Sequence, residues 1–442
     1  MVYVSPLNAR AASRLGADAF VFGFPLLLMA AMRQGADSEE GDGNGSAPNR
    51  FVHLPHFPGP GFRTLVGANS HSLYSLAWMD LTGEPLLLRL PDTGGRSYLM
   101  PLFDAWSNNF ASLGPRTSDS ANGVYAIVGP SWDGEVPAAV ARLDAPTGHV
   151  WAISHLHAGS RDDLEAGRAI QRNLQLTPLS EYETAPVPTP AEAVDGPTAS
   201  EASPHRYVMT MRADEFLGRL AAEMGLNPPA AADGPLLDRL AEIGLRAGEP
   251  FAWGELPGEV QEALEDGLRQ GREEVEAPPA SQVENGWQSM REGVGTYGTD
   301  YLRRAQIANV ALGAVHPRDA IFPFTEVDHE GDRLNGAHRY VLRFEPGELP
   351  PVGALWSLAL YDMDQLPVDN PLDRYALGDR DELELGADGS LEIAIQHDRP
   401  PGSDANWLPA PEGDFNLMLH MYWPKRRALS GEWTIPPVTR IG

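Results

Sequence analysis

Between residues 62 and 155 short apolar runs alternate with turn residues. LYSLAWMDL, EPLLLRLP, SYLMPLFDAW, GVYAIVGP and HVWAIS are each bounded by Gly, Pro, Asp or Asn. Strands at such intervals predict an antiparallel sandwich. The signature returns near the C terminus, where HRYVLRFEP, ALWSLALYD, LEIAIQHD and FNLMLHMYWP are separated by Gly, Pro and Asp clusters. These runs predict a second sandwich.

Between the two β regions the apolar spacing changes to 3.6. ADEFLGRLAAEMGL, PLLDRLAEIGL and GEVQEALEDGLRQGREEVE predict a small helical domain with acidic outer faces, and a further helix is expected near 297–315. Residues 5–33 also carry helical spacing, with Ala11, Leu15, Ala19 and Phe20 opposite Arg10, Arg14 and Asp18, until Gly23 and Pro25 kink or end it. SRDDLEAGRAIQRNLQLTPLS (160–180) reads as a helix capped by Ser160, with Asp162 and Asp163 in its first turn and Pro178 as its stop. QGADSEEGDGNGSAPNR (34–50) reads as a surface loop, and the proline-rich stretch 182–204 as a linker. The expected fold class is mainly β with α, divided into 1–195 (β-sandwich with an N-terminal helix), 205–290 (helical) and 296–442 (second β domain).

Composition narrows the function. A chain of 442 residues exceeds one ordinary core. Acidic residues outnumber basic ones 61 to 33, for a formal charge of −28, a field that repels phosphate backbones and anionic lipid headgroups. Nucleic acid and membrane surfaces are therefore not expected partners. The absence of cysteine removes disulfides, thiolate nucleophiles and iron–sulfur clusters, and leaves His, Asp, Glu or Asn to hold any metal. AFVFGFPLLLMAAM (19–32) is shorter than the roughly twenty residues of a membrane span and lacks the flanks of a secretory signal, so the cytoplasm is the expected location.

The ordered stretches NSHSLYSLAWMDL, EPLLLRLPD, DAWSNNFASLGPRT, GPSWDGEVP, APTGHVWAIS and LQLTPLS resemble the family DUF1254. From 296 on, YGTDYLRRAQIA, DHEGDRLNGAHRYVLRF, LWSLALYD, NPLDRYALGD, DGSLEIAIQHDRP, NWLPAPEGDFNLMLHMYWP and GEWTIPP resemble DUF1214, its usual C-terminal companion. The resemblance implies an immunoglobulin-like N-terminal sandwich, a helical middle and a jelly-roll-like C-terminal domain, and it carries no general reaction. Many members look secreted or periplasmic, a pattern from which this chain departs.

Three further departures fall on histidine. His71 stands where the family pattern has aspartate, while His155 and His420 each stand where it has arginine. If those positions meet in space, changing one alone strands a buried charge at about 3–5 kcal/mol. Joint replacement therefore hints at contact. The sharp reading is that the three converge between the sandwiches and hold a divalent transition metal, or do acid and base work, with His157 as a possible fourth. The bland reading is three unrelated histidines, or a hydrogen-bonded polar pocket without metal.

Asp104, Asn108, Asn109 and Arg116 form a second group: Asp104 follows a strand, and Arg116 could clamp an anion, although Asn and Asp also make turns by bonding their own backbone. Asn69 and Tyr74 carry the same ambiguity. Asn406 and Trp407 would line an apolar pocket or plug the end of the jelly roll, and Tyr422 shares a strand with His420. No nucleophile elbow, P-loop or dinucleotide fingerprint occurs. The expectation is a small-molecule enzyme with a pocket of His71, His155, His420, Asn69, Tyr74 and Asp104. A non-catalytic binding or scaffold protein and a homo-oligomer subunit without an occupied pocket are the alternatives.

Overall fold

The structure, a computed structural model, describes residues 8–37, 48–62, 67–118, 123–158, 163–182 and 203–442. Ser160, Asp162, most of the 34–50 loop and nearly all of the 182–204 linker lie outside the described residues. Helix α1 (Ala9–Asp37) runs unbroken through Gly23 and Pro25, where the sequence predicted a kink or an end. Tertiary packing overrides the local signal. A Cβ on Gly23 would come within 2.6 Å of Leu220, so the missing side chain admits a neighbouring helix.

The N-terminal strands are β1 (Phe51–Leu54), β2 (Ser72–Asp80), β3 (Leu86–Leu90), β4 (Tyr98–Asp104), β5 (Asn109–Leu113), β6 (Gly123–Val128), β7 (Ala141–Asp144) and β8 (His149–His157). Helix α2 (Leu164–Gln171) and strand β9 (Gln175–Pro178) follow. The expected helix thus ends seven residues before Pro178, and its tail is an edge strand paired with β3. One sheet has the order β1-β2-β8-β4-β5 and the other β7-β6-β3-β9. Leu73, Ala77, Met100, Leu102, Val150 and Ala152 of the first meet Leu86, Leu88 and Ile127 of the second in the sandwich core.

Four helices make the middle layer: α3 (Pro204–Thr210), α4 (Ala213–Leu226), α5 (Gly234–Leu240) and α6 (Gly258–Glu276). By packing, α1 belongs here, because Phe20, Phe24 and Leu27 share a core with Phe216, Leu220 and Leu264. It is long and apolar enough to cross a membrane, yet most of it is buried inside the protein.

The C-terminal part holds β10 (Gln282–Glu284), β11 (Trp287–Ser289), α7 (Tyr301–Ala311), β12 (Ala320–Ile321), β13 (Phe324–Thr325), β14 (Tyr340–Phe344) and β15 (Val352–Tyr361). It continues with β16 (Ala376–Gly378), β17 (Leu391–Gln396), β18 (Trp407–Pro409), β19 (Asn416–Pro424), α8 (Arg426–Ser430) and β20 (Val438–Arg440). One sheet runs β10-β11-β13-β19-β15-β16, with β12 added to β19, and the other β18-β17-β14-β20. Tyr340, Leu342 and Ile393 face Trp356, Leu358, Leu419 and Met421 across the second sandwich core.

The two sandwiches meet through their larger sheets. Tyr74, Trp78, Trp151 and Ile153 pack with Ala320, Leu355 and Tyr422 in a core of their own. Strands β2 and β8 are therefore buried on both faces, which explains why their sequences read as near-continuous apolar runs.

Candidate functional site

Register places the polar residues of this seam. In the β2–β8 pair Tyr74 lies opposite His155 and Ser72 opposite His157. Side chains alternate along a strand, so Ser72 and Tyr74 share the outward face of β2, and His155 and His157 continue the face that carries Trp151 and Ile153. From the other sheet β19 presents His420 and Tyr422, and β15 presents Ser357 and Tyr361. The turn before β2 adds Asn69, whose Oδ1 accepts from the His71 backbone N–H at 2.8 Å and from Ser357 Oγ at 3.3 Å.

The three histidines thus reach one seam, each against a neighbouring ring. The His71 and His157 rings are 6.4 Å apart. His155 packs edge-on against Tyr74 at 4.8 Å and Tyr422 at 5.9 Å, and the Tyr422 hydroxyl lies 3.4 Å from His155 Nδ1. His420 meets Phe322 at 5.3 Å, and Phe322 lies 5.8 Å from Tyr422. Among the described residues no three His, Asp or Glu side chains are grouped to hold a metal ion. His71, His155 and His420 are not grouped as a ligand set: the ring contacts of His155 are with Tyr74 and Tyr422, those of His420 with Phe322 and Tyr361, and that of His71 with His157.

Burial sets the charge state. It lowers His155 to about 4. His157 falls to about 3, through burial first and then the charges of Arg380 and His71. His420 falls to about 3, through burial and then its two neighbours His155 and His71. Burial also lowers His71, against the pull of Asp381, whose Oδ2 is 3.7 Å from His71 Nε2. Tyr422 is pushed up to about 12 by burial, and Tyr74 and Tyr361 are raised well above 10. Near pH 7 these imidazoles and phenols are uncharged.

Hydrogen-bond polarity fixes one tautomer. Tyr361 Oη lies 2.9 Å from the Ala68 carbonyl and 2.9 Å from His420 Nε2. A carbonyl only accepts, so the single phenol proton goes to Ala68, and His420 Nε2 must carry the proton it gives to Tyr361. The lone pair of His420 is then on Nδ1, which has no partner among the described residues. Ser70 Oγ, His71 Nδ1 and both nitrogens of His157 share that condition, making five buried polar atoms of this region without a partner among the described residues.

The other expected residues are spread more widely. Asp104 lies at the far end of β4, opposite Val150, whereas Leu99 at the near end opposes His155. Its carboxylate accepts from the backbone of Trp106 and Asn108 and from the Asn108 amide, a turn role. Arg116 is held by Asp319 at 2.6 Å, an ion pair between the two halves of the chain. Asn406, just before β18, exchanges hydrogen bonds with the Glu384 backbone, and buried Trp407 of β18 donates to the Gln396 carbonyl in the outer sheet of the second sandwich. Tyr361 and Ser357 went unread in the sequence, although their period-two spacing in LWSLALY places both on one face.

A cleft of about 30 Å³ leads from the surface to this seam. Tyr98, Leu99, Ala354, Leu355 and Trp423 wall it, and Ser72, His155, His157 and Tyr422 lie along it.

The fold and seam define a two-sandwich protein with an uncharged, histidine- and tyrosine-lined seam between its β domains. Residues 48–178 match the family described as Protein of unknown function (DUF1254), and residues 319–426 match Protein of unknown function (DUF1214); the chain belongs to the proteins that carry these two domains. It is similar to the crystal structure of the VPA0106 protein from Vibrio parahaemolyticus, with a TM-score of 0.72 and 22% identity over 98% of this chain and 100% of that one. That similarity shows the fold. A putative uncharacterized protein from Burkholderia cenocepacia aligns with a TM-score of 0.44 and 11% identity over 97% of this chain and 93% of that one. No curated protein matches the chain.

Proposed function

We propose that the seam binds a small, uncharged, partly apolar molecule and that its imidazole and phenol groups act on that molecule by proton transfer, making the protein a small-molecule enzyme. The observation that carries this reading is the gathering in one buried region of five polar atoms without a partner among the described residues. Each such atom costs about 1–3 kcal/mol when left unpaired. Stability sacrificed at one place, on groups able to donate and accept, is the pattern of a site kept for a guest.

A second reading, binding without turnover, draws on the low proton affinity of the imidazoles. Groups lowered to about 3 or 4 are weak bases at neutral pH until a ligand changes their surroundings. A bound compound that the wild type converts, and that the His155→Gln variant binds without converting, separates the two readings in favour of the enzyme. A cytoplasmic location belongs to the proposal and draws on the burial of α1 in the helical core.

His157→Leu tests the reading. Leucine occupies a similar volume and removes two unpaired nitrogens, so the variant is expected to be more stable than the wild type by about 1–3 kcal/mol in urea at pH 7. A loss of stability of similar size would mean that His157 is a structural side chain and would remove the main support for a site.

A further inference from the structure

The cleft has more character than its floor. Its facing walls come from two sheets, Leu99 from β4 and Leu355 from β15, which share the core between the sandwiches, so the space is read as a slot between sheets. His157 lies along it, is 1% exposed and has neither ring nitrogen paired among the described residues. A neutral imidazole offers one N–H donor and one lone pair, a combination answered by a group that both accepts and donates.

The rim carries a strained aromatic. Trp423 has φ of 52°, in the left-handed region that a bulky side chain rarely adopts, and it is 38% exposed. Two features hold it there. Its backbone N–H donates to the Asp319 carbonyl at 2.7 Å, and its ring covers Gly353, where a Cβ would come within 2.7 Å of the indole. Strain of this kind persists where the surroundings enforce it, and here it sets an indole at the mouth. The cation at the same rim is already taken, since Arg116 bonds Asp319 at 2.6 Å.

We propose that the slot takes a flat, uncharged ring bearing a carboxamide-like head, with the head on His157 and the ring between the apolar walls under Trp423. This rests on the seam being a ligand site and names the ligand class. The free space of about 30 Å³ holds little more than a water, so the ring enters as the rim parts. A charged head is disfavoured, because the slot would strip the ion of water, Arg116 is already paired with Asp319, and Arg380, whose charge reaches His157, is exposed and does not line the cleft.

The test is an equilibrium titration of the full-length protein with benzamide, benzoate, acetamide and toluene, followed by the ring resonances of His155 and His157. Benzamide is expected to bind at least tenfold more tightly than acetamide, which lacks the ring, than toluene, which lacks the head, and than benzoate, which has the same shape and a charge. Trp423→Gly suits the positive φ and removes the indole. It is expected to weaken benzamide at least fivefold and leave acetamide unchanged. Equal binding of acetamide and benzamide, or tighter binding of benzoate, would overturn the ligand class while leaving a site. If none of the four probes moves either histidine, the seam itself is not a ligand site and both proposals fall.

Discussion

Acidification from pH 7 to pH 4 is expected to unfold this protein. The sign follows from proton binding: His155, His157 and His420 bind protons near 3 or 4 when folded, whereas the same residues in an unfolded chain bind them near 6.5. Below pH 6.5 the unfolded state takes up protons that the folded state refuses, so stability falls as pH falls until the folded values are reached. At about 1.4 kcal/mol per pH unit, three such groups lose on the order of 6 kcal/mol by pH 5 and on the order of 10 by pH 4. His53, lowered to about 4 by burial and then by Arg172, adds to the loss.

Asp104 works in the opposite direction. Its folded value is raised to about 6, chiefly by burial, so the folded state is penalised while the carboxylate is charged and is relieved as pH falls from 6 toward 4. That single group returns at most about 3 kcal/mol. Folded proteins commonly hold about 5–15 kcal/mol, so the imidazoles decide the outcome. Urea unfolding at steps between pH 7 and 4.5 should show a steep loss of stability below pH 6.5. Unchanged stability at pH 4.5 would contradict the assigned burial of the seam.

The second large effect is expected away from the seam, at Arg304. The residue is 3% exposed, and its guanidinium carbon lies 5.5, 5.0 and 5.6 Å from the ring centres of Phe22, Trp106 and Tyr301, with Asp104 and Asp233 as its nearby charges. It joins α1, α7 and the turn after β4, so three layers of the protein meet on one cation. Arg304→Leu leaves the Asp104 carboxylate buried without its counter-charge and should cost about 3–5 kcal/mol. Adding Asp104→Asn removes that stranded charge and should recover part of the loss. Additive losses in the double variant would mean that the two residues do not act as a pair.

Much of the β architecture could be read from the sequence because turn residues punctuate it. The runs around Leu73–Asp80, Tyr98–Asp104 and Val150–Ser154 became strands in one sheet. Strand β5 was less legible: NNFASL begins with two asparagines, which signal a turn, and it becomes a strand by pairing with β4. Pro25 misled in the opposite sense, since a local helix-breaking signal says nothing about the core that encloses α1. At the site, three departures from the family pattern pointed to His71, His155 and His420. A grouped ligand set did not follow, because sequence cannot show that His155 packs on Tyr74 and Tyr422 while His420 packs on Phe322 and Tyr361. Asp104 looked catalytic as an acidic residue at a strand end; its partners Trp106 and Asn108, two and four residues away, give its carboxylate a turn role.

The central claim is that neutral imidazoles share one enclosed seam, and nitrogen NMR of the ring atoms tests it most directly. At pH 6, where the protein is still folded, His155, His157 and His420 should all be neutral, with the His420 proton on Nε2 and its Nδ1 bare. Charged rings at that pH in the folded protein, or His420 protonated on Nδ1, would contradict the account.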